Sequence, residues 1–329
     1  MGFILNVLKR YQAFPYVQLI DKIIIVWNNI YMSIPQQLQD QKNFVIIKSE
    51  INSLNNRWIL PIPYVKTRAI VMYDDDMFVR YEAFECMFKI WKQSPDRMIS
   101  QYVRTIDTTN TSDPKYVYDQ LYRFGATYHI GIRLVILSTE LLVLYKNSLT
   151  PEMLQYITYG PGMCDDIIMN MITSVATKRP PLRVMLPPKS LFSFDRCHRA
   201  HQGLGTLPGR EDVRSVCTRQ LLTYFKDPDN VLIPTRELAY CPPLSVPPSV
   251  KHESYFRDIE MPCAEQEQFT GVQKNSTRAT EFRFLDRRCP PAVWMPPIRH
   301  RTDLGYVLKH MGAKRGCIFS SIIVFSLMK

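Results

Sequence analysis

Through the first two-thirds of the chain, short runs of aliphatic and β-branched residues alternate with segments whose apolar positions recur at helical spacing. Residues 22–27, Lys-Ile-Ile-Ile-Val-Trp, form a continuous apolar run closed by Asn28 and Asn29. That pattern predicts a strand buried on both faces and ending in a loop. Residues 44–47 predict a second strand, residues 133–137 another, and residues 68–73 one that runs straight into Asp74, Asp75 and Asp76. Helices are predicted over residues 6–16, 35–41, 81–93, 139–145 and 165–175. In the third of these Phe84, Met87, Phe88 and Trp91 share a face, and in the last Ile168, Met169 and Ile172 do. Strands alternating with helices predict an α/β fold, a mostly parallel central sheet flanked by helices. No internal repeat is present.

Beyond residue 225 the pattern changes. Proline pairs at 242–243, 247–248, 290–291 and 296–297 break regular elements. Residues 226–329 are therefore expected to be a Pro-rich, irregular and poorly ordered tail with one helix near residues 303–310, and function is expected within residues 1–225. The longest uncharged apolar run, residues 317–328, is far shorter than the roughly 20 residues a bilayer-spanning helix needs. The apolar part of residues 1–9 is too short to predict a signal peptide.

With 46% hydrophobic residues in 329, the chain buries a sizeable core, and disorder over most of its length is excluded. The net charge of +11 favours anionic partners without choosing among them. Nucleic acid is disfavoured, because residues 226–329 lack an aromatic-basic motif and carry 15 Lys and Arg against 11 Asp and Glu. Eight cysteines occur with no Cys-x-x-Cys pair and no histidine at zinc-ligand spacing, which argues against a structural zinc site and leaves disulfides and buried thiols both open. Two glycosylation triplets, Asn110-Thr111-Ser112 and Asn275-Ser276-Thr277, lie in polar stretches.

Three segments bear candidate chemistry. Asp74, Asp75 and Asp76 place carboxylates where a buried strand ends, the edge at which α/β folds bind ligands. Hard oxygen donors there suit Mg²⁺ or Mn²⁺ bridging to a nucleotide diphosphate, and an acidic turn leading the following helix is the competing explanation. Asn52-Ser53-Leu54-Asn55-Asn56-Arg57 offers amides and a guanidinium able to pair with phosphate, or else is a solvated loop. Asp165 and Asp166, after Cys164, stand at a predicted helix start, where carboxylates also interact favourably with exposed amides and the helix dipole.

The order of these pieces resembles the exostosin-like glycosyltransferases, the carbohydrate-enzyme family numbered 64. The resemblance spans roughly residues 10–225. It is carried by Ile-Ile-Val-Trp-Asn-Asn at 24–29, Asn-Ser-Leu-Asn-Asn-Arg at 52–57, Ala-Ile-Val-Met-Tyr-Asp-Asp-Asp at 69–76, Phe-Lys-Ile-Trp at 88–91 with Pro95-Asp96, Val103-Arg104, and Cys-Asp-Asp-Ile-Ile-Met-Asn at 164–170 with Pro180-Pro181.

The resemblance implies a GT-A nucleotide-diphospho-sugar transferase fold and transfer of a sugar from a UDP-sugar, with retained anomeric configuration, to a glycan or glycolipid acceptor. It implies Mn²⁺, or Mg²⁺, held by Asp76. Ribose or phosphate contacts would come from Asp74 and Asp75, and uridine contacts from Asn28, Asn52 and Arg57. Asp166 would stand beside the anomeric carbon, Asp165 near the acceptor and Arg214 at the leaving phosphate, with Cys164 and Cys217 joined in a disulfide. The expected donor sugar is N-acetylglucosamine or a related hexosamine, and the expected place the Golgi or endoplasmic reticulum lumen, membrane-associated and in a possible homo- or hetero-oligomer. Three departures stand against the family pattern. By the resemblance the chain is expected to start inside the helix that follows the family's first strand, without the family's N-terminal anchor; Met163 stands where the family has Asn, and residues 226–329 are expected to have no counterpart. These departures motivate an alternative, a catalytically inactive UDP-binding relative that serves as partner subunit to an active transferase.

Overall fold

The computed structural model describes residues 2–41, 44–74, 77–110, 112–117, 127–160, 164–187, 190–193, 210–227, 230–235, 237–243 and 322–327. In chain order, α1 (Gly2–Tyr11) leads into β1 (Ile20–Trp27). The one-turn helix α2 (Gln36–Gln39) precedes β2 (Phe44–Lys48), and another, α3 (Asn56–Ile59), precedes β3 (Ala69–Asp74). The short β4 (Met77–Val79) opens into α4 (Tyr81–Gln93), followed by β5 (Ile99–Asp107), β6 (Lys115–Val117) and the long β7 (Thr127–Ser138). Then come α5 (Thr139–Ser148), α6 (Pro151–Tyr159), α7 (Asp165–Thr177), β8 (Leu182–Met185), β9 (Leu191–Ser193), α8 (Arg210–Leu222), β10 (Leu238–Tyr240) and β11 (Ile322–Leu327). Local chemistry sets several starts: the Ser138 and Thr150 side chains cap α5 and α6 by accepting from the amides of Leu141 and Met153, and Pro151 occupies the first turn of α6.

Nine strands form one sheet in the order β10-β8-β5-β7-β3-β11-β1-β2, with β6 beside β5, while β4 and β9 pair separately. Because successive strand residues face opposite sides, each central strand feeds two cores. Ile23, Ile25, Val71, Tyr73, Leu134 and Ile136 pack with α1 and α4. Ile24, Ile70, Met72, Val135 and Leu137 pack with α5, α6, α7 and α8. The result is helices on both faces of a sheet, as the alternating pattern predicts.

The expectation of a mostly parallel sheet is corrected. Parallel pairing holds for β1 with β2, β5 with β8 and β8 with β10, whereas β5, β7, β3, β11 and β1 pair antiparallel throughout. The sheet is mixed because β7 and β11 each enter, running the opposite way, between strands that share a direction. Residues 322–327 were expected in an irregular tail, and here too the structure corrects the expectation, since β11 lies between β1 and β3, with Phe325 opposite Ile23 and Val71. The helix expected near residues 303–310 lies outside the described residues.

Phe325 is fully buried. Its ring centroid is 4.7 Å from that of Tyr11, 5.4 Å from Tyr73 and 6.0 Å from Phe84, so β11 ties α1, β3 and α4 into one aromatic cluster. The Tyr11 hydroxyl donates to the Tyr73 hydroxyl at 2.8 Å and accepts from the Val79 amide at 3.0 Å, which satisfies the polar tip that burial would otherwise penalise. Two disulfides add constraints: Cys86–Cys241 ties α4 to the segment after β10, and Cys164–Cys217 ties the start of α7 to α8.

His129 of β7 is buried near two cations, Arg183 and Arg97. Arg97 donates to the Pro180 carbonyl at 2.8 Å and pairs with Glu237. Burial, and then the positive charges of Arg183 and Arg97, pull the His129 imidazole down to about 4.

Two outcomes follow from this packing. Replacing Phe325 with Ala is expected to cost about 3–5 kcal/mol, read as a lowered urea midpoint. The second concerns pH: the unfolded imidazole takes up a proton near pH 6.5 while the folded one does so near pH 4. The contribution of neutral His129 is thus complete above pH 6.5 and declines as pH falls toward 4, by about 1.4 kcal/mol per pH unit. Urea melts of the wild type and His129→Gln between pH 7 and pH 4.5 check this, the variant lacking that slope.

Candidate active site

The carboxyl ends of β1, β2 and β3 lie at one edge of the sheet, and the polar segments after them converge there. Asn28, immediately past β1 and fully buried, is locked by its side chain. Its Nδ2 donates to the Ser53 carbonyl at 3.1 Å, and its Oδ1 accepts from Ser49 Oγ and Asn56 Nδ2, each at 2.9 Å. These bonds fold residues 49–56 back over the strand ends, and α3 then delivers Arg57 and Trp58 toward β3.

Arg57 holds two carboxylates at once. Its Nη1 donates to Asp74 Oδ1 at 2.9 Å, and its Nε lies 3.4 Å from Asp165 Oδ2. Asp165 Oδ2 also accepts from Trp58 Nε1 at 3.0 Å. Asp74 is further approached by Arg133 at 3.8 Å, a residue with φ of 63°, the left-handed region that non-glycine residues seldom occupy. Burial alone would pull the Arg57 guanidinium down, but Asp165, Asp74 and Asp166 outweigh it and hold the group above its ordinary value. For Asp165 burial dominates and pushes the carboxyl up, against the lowering by Arg57.

The neighbouring carboxylate has a separate partner. Arg214 of α8 donates from Nη1 to Asp166 Oδ2 at 2.9 Å and to the Tyr116 hydroxyl at 2.6 Å, and its guanidinium lies 4.8 Å from the centre of the Tyr116 ring. The second oxygen, Asp166 Oδ1, is buried and accepts no hydrogen bond among the described residues. The first turn of α7 is held in place from below. Asn170 accepts from the Gly131 amide at 2.9 Å and donates to the carbonyls of Gly131 and Asp166. A Cβ at Gly131 would come within 2.9 Å of Ser100 Cβ, so only glycine lets β7 approach this closely.

Asp74, Arg57, Asp165, Asp166 and Arg214 are therefore brought together by α3, β3, α7 and α8, although they span much of the sequence. Asn28 stands one step back, positioning the segment that carries Arg57, and Asn52 is half-buried in that segment. Asp75, Asp76 and Met163 lie outside the described residues. Among the described residues no group of three or more His, Cys, Asp and Glu forms a metal site. Sequence reasoning missed Trp58, Tyr116 and Arg133. Trp58 adjoins the Asn-rich segment and was open to notice, whereas Tyr116 and Arg133 carry no local signal.

Residues 1–230 match the family model of the glycosyl transferase family 64 domain. Among curated relatives, the chain is 25% identical over 232 residues to exostosin-like 2 of Mus musculus, covering 68% of each chain. It is 33% identical over 106 residues to glucosamine inositolphosphorylceramide transferase 1 of Arabidopsis thaliana, covering 31% of this chain and 13% of that one. It is 25% identical over 182 residues to the exostosin-like-3 homolog of Caenorhabditis elegans, covering 54% and 21%. The chain thus spans only a small part of the two longer relatives.

Because Asp166 and Arg214 are both buried, removing one partner strands the other. Arg214→Met is expected to lower stability by about 3–5 kcal/mol. The Asp166→Asn/Arg214→Met double variant is expected to lose less than the sum of the singles, by about 1–3 kcal/mol, in a denaturation double-mutant cycle.

Proposed function

This chain belongs to glycosyl transferase family 64. On that premise we propose that it is a retaining glycosyltransferase with a GT-A type site. It moves N-acetylglucosamine or a related hexosamine from a UDP-sugar to a glycan or glycolipid acceptor, with Mn²⁺, or Mg²⁺, as the divalent ion. The observation that carries this is Asp166: one carboxylate oxygen is clamped by Arg214 and the other is buried and accepts no hydrogen bond among the described residues, beside the Arg57-bridged carboxylates at the sheet edge. A buried, unpartnered carboxylate oxygen costs folding energy and is suited to answering positive charge that appears only during a reaction.

In such a transfer the bond between anomeric carbon and UDP breaks as the acceptor hydroxyl oxygen bonds to that carbon and gives its proton to the departing diphosphate, so positive charge gathers on the sugar and negative charge on the diphosphate. Asp166 stabilises the first and Arg214 steadies the second, while Asp165, held by Trp58 and Arg57, stands toward the acceptor. Asn28, Asn52 and Arg57 form the uridine side, and Asp74 and Asp75 the ribose and phosphate side. When bound, the divalent ion supplies neutralising charge to the diphosphate. The donor chemistry supports Asp76 as its ligand: carboxylate oxygens suit these metals, and Asp74 is already engaged by Arg57 and Arg133. The glucosamine and inositolphosphorylceramide in the Arabidopsis relative's name support a hexosamine donor and a glycolipid acceptor. The two disulfides support an oxidising lumen, endoplasmic reticulum or Golgi. No helix among the described residues is long and apolar enough to cross a membrane, and membrane association would follow from the family and the acceptor.

The second reading, a catalytically inactive UDP-binding relative that serves as partner subunit to an active transferase, rests on Met163 in place of the family's Asn, which takes away an acceptor contact while leaving Asn28, Asn52 and Arg57 for the uridine. UDP release from a panel of UDP-sugars, with Mn²⁺ and with chelator, separates the two. Metal-dependent release lost at least about 100-fold in Asp76→Ala, and reduced through kcat in Asp166→Asn, is the expected result. Undiminished turnover in Asp76→Ala overturns the metal assignment. Mn²⁺-dependent UDP binding by calorimetry with no turnover on any acceptor establishes the silent subunit.

A further inference from the structure

The turn joining β5 to β6 lies outside the site described above and carries Asn110-Thr111-Ser112, in which the middle residue is not proline. Asn110 and Ser112 are exposed, as is Thr109 before them. Asn110 Oδ1 accepts from the Ser112 hydroxyl at 2.7 Å and from the Ser112 amide at 3.2 Å, and its own carbonyl accepts from the Asp113 amide at 3.1 Å. Its side-chain nitrogen engages no partner among the described residues. Asp113 is anchored to α8 by Arg219 at 2.8 Å, so the turn projects from a fixed base.

We propose that Asn110 is a glycosylation site that accepts an oligosaccharide from a lipid-pyrophosphate donor. The two hydrogen bonds on the amide oxygen fix the side chain by that atom and leave its nitrogen as the end presented for reaction. The nitrogen bonds to the anomeric carbon of the glycan, a base of the transferring enzyme takes one N–H proton, and the carbon–oxygen bond to the lipid pyrophosphate breaks, the pyrophosphate leaving with the electron pair. The Ser112 hydroxyl is the group that the acceptor triplet requires, and here it already holds the amide that would react. Cys86–Cys241 and Cys164–Cys217 fit the oxidising compartment in which such donors are used, so the inference shares with the proposed function its luminal placement and nothing else.

The test expresses the full chain behind a cleavable secretion leader in cultured eukaryotic cells, with Asn275→Gln removing the other triplet, and follows gel mobility and peptide mass after peptide N-glycosidase in heavy-oxygen water. The expected result is a mobility shift of one glycan and labelled Asp at position 110, lost in Ser112→Ala and kept in Ser112→Thr. An unmodified Asn110 peptide from secreted, disulfide-bonded chain, with a co-expressed control glycoprotein fully modified, overturns the proposal. That failure leaves the transferase reading untouched, because UDP release does not depend on this turn.

Discussion

Arg57 is the residue on which the arrangement of the site turns. Through it the end of β3, carrying Asp74, and the start of α7, carrying Asp165, are bound to a single guanidinium at 2.9 and 3.4 Å. Without that cation the buried Asp165 would keep the Trp58 indole as its donor and the half-buried Asp74 the more distant Arg133 at 3.8 Å, a crowding that carboxylates avoid by taking up protons or moving apart. The pair of Asp166 with Arg214 repeats the solution one residue further along. Buried ion pairs of this kind seldom repay their desolvation, so their concentration at one sheet edge argues for a task other than holding the fold.

The fold itself rests on ordinary apolar periodicity, and that part was legible. The continuous runs at 22–27, 44–47 and 68–73 are β1, β2 and β3, and the helical spacing over 81–93 is α4, because buried strands and amphipathic helices write their periods directly into the chain. Strand order is different in kind. Nothing in the local pattern of residues 322–327 says that β11 pairs with β1 and β3, since its partners lie some 250 or more residues earlier in the chain. The stretch reads as a short apolar run after a proline-rich region, and periodicity carries no information about which edge or gap such a run fills. The mixed pairing of the sheet centre was hidden for the same reason.

A similar division runs through the site. Carboxylates at the ends of predicted elements stand out, because charge beside a buried strand or at a helix start demands an explanation, and so Asp74, Asp165 and Asp166 were legible. Arg214 and Asn28 drew notice through family resemblance more than through their own setting. Their partners were not legible at all. Tyr116 sits on a three-residue strand and serves Arg214 through both its hydroxyl and its ring face, a role defined only once β6 and α8 lie side by side. Asn28, which the family resemblance sets beside uridine, also bonds to Ser49, Ser53 and Asn56 and so anchors the segment that presents Arg57.

The disulfide between Cys164 and Cys217 explains how so costly a cluster stays assembled. Cys164 immediately precedes Asp165 and Asp166, and Cys217 lies one helical turn beyond Arg214, so the covalent link joins the two backbone segments whose side chains form the buried pair. Closing a loop with a sequence separation of 53 residues removes unfolded-state entropy on the order of 4 kcal/mol, comparable to what the uncompensated desolvation of one such pair costs. The constraint acts on the backbone, so it fixes where Asp166 stands without engaging Oδ1, which accepts no hydrogen bond among the described residues. A tighter hydrogen-bonded lock would have stabilised the same fold by occupying that oxygen, and would have removed a buried carboxylate oxygen that accepts no hydrogen bond among the described residues.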